Sequence, residues 1–145
     1  MAGTIVVTQT SNMRGRTREK FREFLITSDS ADGSVPDQDM FSLDDCELRE
    51  YMYAPDSVAT PANTFDIIIV EKANPTRIVW QSGEDGGAGI AADAFKRDMT
   101  IYTGAYAQID GPVTVKFVSP ADHSAACNIG NSKISTLKFR LVKKS

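Results

Sequence analysis

The stretch STLKFRLVK, residues 135–143, sets Leu137, Phe139 and Leu141 against Lys138 and Arg140. Successive side chains of a strand point to opposite faces of a sheet, so a period of two demands a strand with one face buried. This rhythm recurs along the chain and limits the fold more than any other feature. TIVVT (4–8) is dense in β-branched residues and reads as a strand. KFREFLIT (20–27) is a second. Its two apolar sets, Phe21 with Leu25 and Phe24 with Ile26, alternate imperfectly, so a β-bulge is expected near Glu23. CELREYMY (46–53) places Cys46, Leu48, Glu50 and Met52 on one face, read as the apolar one, and Glu47, Arg49, Tyr51 and Tyr53 on the other. TFDIIIVE (64–71) carries four consecutive apolar residues and reads as a strand covered on both faces at its centre. RIVWQ (77–81) is its hairpin partner across Asn74-Pro75, and TIYTG and PVTVKFVS (112–119) continue the pattern.

These seven or eight short strands are separated by turn-rich segments such as SDSADGSVPDQD and APDSVATPAN, where Pro55 and Pro61 stop regular structure. They predict an all-β fold: a single-domain antiparallel β-sandwich over residues 1–145, jelly-roll-like or immunoglobulin-like. At most one short helix is expected, over IAADAFKRDM (90–99). A length of 145 residues suffices to bury a core without metals or disulfides. A net charge of −3 and a pI near 5.1 argue against nucleic-acid binding by electrostatics. No apolar run approaches the roughly 18 residues of a membrane span. The beginning, MAGTIVVTQTSNMRGR, has no positive charge before its apolar run and reads as a mature start, not a secretory signal. Cys46 and Cys127 stand in no CxxC pattern and read as buried thiols, with a bridge left open.

Motifs that would carry chemistry are weak. The glycine-rich SGEDGGAG (82–89) has neither phosphate-loop spacing nor a lysine, and Glu84 and Asp85 would repel a phosphate. Its glycines Gly83, Gly86, Gly87 and Gly89 read as suppliers of positive φ in a mobile loop. Ser30, Asp32 and Gly33 in SDSADGS imitate the opening of a calcium loop, but an Asx-type turn accounts for the same residues. His123, the one histidine, stands four residues before Cys127, which is half of a dyad or metal site and nothing more. The pairs Asp44-Asp45 and Glu84-Asp85 lie in polar turns and read as solvated charges. No catalytic residue, metal or cofactor is therefore assigned, and the chain is not expected to be an enzyme. Tyr51, Tyr53 and Trp80 read either as core or as an exposed association patch; with Tyr102 they would be the stacking platform of a carbohydrate-binding domain.

The order of segments carries a resemblance. Pro55-Asp56 after a strand, Pro61 in a linker, and Asn63, Phe65 and Asp66 opening the next strand are followed by Gly83, Gly86 and Gly87, then by Asn131-Ser132-Lys133 before the final strand. In this order the chain resembles a group of small tailed-bacteriophage virion structural proteins over most of its length, departing from them over residues 90–110. The resemblance implies a non-catalytic component of the virion, assembled in the host cytoplasm. An acidic β-domain of this size suits a capsid decoration (cement) protein bound outside the shell as a symmetric oligomer, with the major capsid protein as partner. A tail or head–tail junction protein is the alternative. Expected contact regions are residues 1–20, as a docking strand or arm, and the loop 82–98, as a flexible element. The residues singled out are Arg14, Arg16, Arg18 and Lys20 in the first, and Gly86, Gly87, Phe95, Lys96 and Arg97 in the second.

Overall fold

The computed structural model describes residues 2–14 and 17–143, and of residues 10–14, 17 and 18 the backbone alone. The described residues form two antiparallel sheets packed face to face, a single-domain β-sandwich without a helix. The larger sheet runs β1 (Thr4–Arg14), β2 (Thr17–Thr27), β12 (Ile134–Lys143), β4 (Cys46–Pro55), β10 (Ala105–Ile109) and β9 (Ile101–Tyr102), with β8 (Lys96–Met99) also paired to β4. The smaller runs β3 (Gln38–Met40), β11 (Val113–Val118), β5 (Thr64–Glu71) and β6 (Ile78–Gln81), with β7 (Ile90–Ala91) also paired to β5.

The alternation seen in the sequence becomes the core. From the larger sheet, Phe24 and Ile26 of β2 and Leu137, Phe139 and Leu141 of β12 point inward. Phe65, Ile67 and Ile69 of β5 and Val113, Val115 and Phe117 of β11 meet them from the other side. Trp80 of β6 sits between Tyr51, at 5.2 Å between ring centroids, and Phe139, at 6.1 Å and nearly perpendicular. The tilted contact with Tyr51 and the edge-to-face contact with Phe139 add packing specificity to the burial of large rings. Tyr51, Tyr53 and Trp80 are all core residues, so none of the three forms an exposed patch or offers a face to a sugar.

Two readings of register change. No bulge occurs at Glu23, which pairs in unbroken ladders with Thr8 and Lys138. The mixed pattern there arises because Phe24 and Ile26 face the core while Leu25, on the outer face, is half exposed. The bulge lies instead in β4, where Arg140 stands opposite Glu50 and Leu141 opposite Leu48, leaving Arg49 as the extra residue. It reverses the strand's parity. Cys46 and Leu48 point inward before it, and Tyr51 and Tyr53 after it, so Glu50 and Met52 are not on the apolar face. At the same point β4 changes neighbour, from β10 alongside Cys46–Leu48 to β8 alongside Glu50–Tyr53. Thr100 between those neighbours is buried, donating from its backbone to the Arg49 carbonyl (3.2 Å) and from its hydroxyl to the Leu48 carbonyl (2.5 Å).

The helix expected over residues 90–99 does not form. Ile90 and Ala91 pair with Phe65 and Thr64, and Lys96–Met99 form a ladder with β4, so their backbone groups are committed to sheets. Residues 103 and 104 turn between β9 and β10 at φ of 52° and 85°, the positive pair that a tight hairpin turn needs. As expected, β5 is covered on both faces. Its outward residues Ile68 and Val70 join Val118 and Ile78 in a small second cluster, and residues 123–126 line a pocket together with Ile68, Val70 and Val118.

Candidate functional site

One end of the sandwich gathers the features that distinguish this molecule from a plain scaffold. There β8 ends the larger sheet locally, paired on one side to β4. Its residues are exposed throughout. Phe95 (61% exposed), Met99 (56%) and Ile101 (49%) place three large apolar side chains on or beside this edge. Arg97 turns to the sheet's outer face, where Nε lies 3.0 Å from Glu50 Oε1, and Lys96 lies 3.6 Å from Asp98. Three expected contact residues are thus adjacent at an open edge, Phe95 just before β8 and Lys96 and Arg97 within it, although the helix expected for them is absent.

The other expected contacts are scattered. Gly86 and Gly87 are exposed at the tip of the glycine-rich loop. Lys20 donates from Nζ to the Ser42 carbonyl at 2.9 Å. Arg16 lies outside the described residues, as do the side chains of Arg14 and Arg18, whose backbones belong to the β1–β2 ladder.

The glycine loop is tied to the segment 119–126. Gly86 N donates to the Pro120 carbonyl (2.7 Å), and His123 N donates to Asp85 Oδ1 (3.0 Å). Only Gly86 and Gly89 of the four loop glycines adopt positive φ, at 88° and 80°. Gly83 serves close approach instead: a Cβ on it would lie 2.8 Å from Asp66 Oδ1. Beneath the loop, His123 Nε2 meets Asp66 Oδ2 at 2.7 Å, with the two side chains 8% and 1% exposed. The Ser82 hydroxyl lies 3.4 Å from the other oxygen, Asp66 Oδ1, and accepts from Ile67 N at 2.9 Å. This is not a Ser-His-Asp relay. The carboxylate stands between serine and histidine, so no imidazole is placed to take the serine proton, and His123 Nδ1 is buried without a partner. This bond joins residues 57 apart in the chain, and His123 pairs with Asp66 and not with Cys127, its neighbour in sequence.

Asp66 also forms part of a pocket of about 190 Å³ between the overhanging β8 and the edge of the smaller sheet. Tyr51, Ser82, Ile90, Phe95 and Asp98 line it with Asp66. The Tyr51 phenol is pushed up to about 12, chiefly by burial and then by the nearby Asp98 and Asp66 carboxylates.

Elsewhere the sequence motifs resolve into structure. Asp29 Oδ1 accepts from Ala31 N and Asp32 N, and Asp32 Oδ1 from Ser34 N, which are Asx-type turn bonds in place of a calcium loop. Ser28, which opens that SDSADGS stretch, donates its hydroxyl to the Gly130 carbonyl at 2.6 Å. Cys46 and Cys127 are free and buried, and burial pushes both thiols up, Cys127 to about 11. Among the described residues no group of three or more His, Cys, Asp or Glu side chains is arranged to hold a metal ion. No family model, curated protein or solved structure matches the chain, so its resemblance to virion proteins rests on the quoted residues alone.

Proposed function

We propose that the chain is a non-catalytic structural protein of a virion, a capsid decoration protein that binds outside the major capsid shell and bridges neighbouring subunits. The observation that carries this reading is the open edge of β8, where Phe95, Met99 and Ile101 expose apolar surface beside Lys96 and Arg97. The charges of Lys96, Arg97 and Asp98 blunt this short edge against unspecific pairing, and the large apolar side chains beside it favour a specific partner surface. The resemblance of its segment order to small phage structural proteins supports the same reading. Many weak contacts of this kind, repeated over a symmetric shell, add through multivalency.

The test is a comparison of particles assembled with and without the protein. Particles lacking it should assemble and then rupture at a lower temperature, and Phe95→Ser should reduce occupancy on the shell. Equal thermal tolerance with and without the protein refutes the reading. Copy number separates shell from tail: a gel band comparable to that of the major capsid protein supports decoration, and a few rings' worth of protein supports the tail or head–tail junction alternative.

A further inference from the structure

We infer that the pocket under β8 is a receptor for one cationic side chain, the ammonium or guanidinium head of a lysine or arginine presented by a partner protein. Its floor holds Asp66, a carboxylate 1% exposed. Oδ2 is bonded to His123, but the nearest protein donor to Oδ1 is the Ser82 hydroxyl at a long 3.4 Å. A buried carboxylate oxygen so weakly satisfied is costly, and a charged donor satisfies it best. Gly83 keeps the approach to that oxygen open, since any Cβ there would stand 2.8 Å from it.

Tyr51 supplies a second polar group. It is 3% exposed, and its hydroxyl meets no hydrogen-bond partner among the described residues, whereas the Tyr53 hydroxyl donates to the Ala92 carbonyl at 2.8 Å. Asp98 stands at the mouth, and Lys96 offsets only that one carboxylate. Lys96 is the one basic residue of the lining against Asp66 and Asp98, and exposed Glu84 and Asp93 adjoin its residues Gly83 and Ala94, so the local field favours a cation over an anion. Ile90 and Phe95 form apolar walls along which an alkyl stem can lie with its charged head at the floor. A volume of about 190 Å³ admits a single side chain and little else.

This inference rests on the reading that the β8 end is the contact face, and it names the chemistry that face accepts. The test is a titration of the full chain, followed by amide NMR, with n-butylammonium and n-butylguanidinium as probes and n-butanol as the neutral control. Saturable shifts at Gly83, Gly89 and Asp98 with either cation, absent with butanol, are expected. Tyr51→Phe, which keeps the ring, and Asp98→Asn, at an exposed position, should each weaken binding about three- to tenfold. Equal response to butanol, no saturable response to either cation, or undiminished binding by both folded variants overturns the proposal. The two readings fail separately. If the cations bind as described while Phe95→Ser and Tyr51→Phe both occupy particles normally, the contact face falls and the pocket stands. If the cations do not bind, the pocket falls, and the Phe95→Ser occupancy still decides the contact face.

Discussion

Raising the pH from 10 to 12 should unfold this protein through two residues of its core. Tyr51 and Tyr53 are 3% and 1% exposed, and burial pushes both phenols up to about 12 from an ordinary 10.0. The Asp98 and Asp66 carboxylates add to the effect at Tyr51. The unfolded chain releases both protons near pH 10, while the folded chain holds them to about 12. Between those values the native state binds more protons, so stability falls as pH rises. The stabilising contribution is complete below 10 and is lost on passing through 12. Two such shifts together are worth about 5 kcal/mol. That is the size of the whole net stability of many domains. Urea unfolding followed by circular dichroism at several pH values, with phenolate absorbance recorded in parallel, measures the effect. Phenolate from these two residues should appear only as the sheet signal is lost, and Tyr53→Phe should remove about half of the pH dependence. Retention of the native spectrum with every tyrosine ionised at pH 11 would refute the argument.

Three further outcomes are expected. Gly86→Ala should cost about 1–2 kcal/mol, the penalty of a left-handed backbone in open space, whereas Gly89→Ala should cost clearly more, because its Cβ would stand 2.4 Å from Pro120 Cγ; urea midpoints of the two variants check the order. Arg22 is 3% exposed, bonded to the Phe21 and Phe41 carbonyls at 3.1 and 3.3 Å, with Nε unpartnered. Thermal melts should therefore show Arg22→Met within about 1 kcal/mol of the parent or more stable, and Arg22→Ala about 2 kcal/mol or more below it. Cys46 and Cys127 are buried with raised thiols, so a disulfide-exchange reagent at pH 8 should react with neither before unfolding, and reductant should leave the melting temperature unchanged.

How far the sequence revealed the fold depended on whether a strand keeps one parity. In β12 and β11 it does, and Leu137, Phe139, Leu141, Val113, Val115 and Phe117 were legible as core. In β4 the extra residue Arg49 shifts the phase, so counting by twos from Cys46 assigned Tyr51 and Tyr53 to the wrong face. The alanines of residues 91–94 favour a helix locally, but ladders to β4 and β5 override that weak preference. The exposure of Phe95 and its neighbours followed from that same misread segment. The Asp66–His123 contact and the pocket beside it join residues distant in the chain, and nothing periodic marks such a meeting.

The odd residue at position 49 also has a historical consequence. Losing it alone would let Cys46, Leu48, Tyr51 and Tyr53 alternate inward along an unbroken strand, with Leu48 still opposite Leu141 and Glu50 opposite Arg140. Descendants of this chain can therefore shed the residue at position 49 alone and keep the inward set of β4, losing only the local bend. The exposed turn at residues 103–104 is where insertions should accumulate.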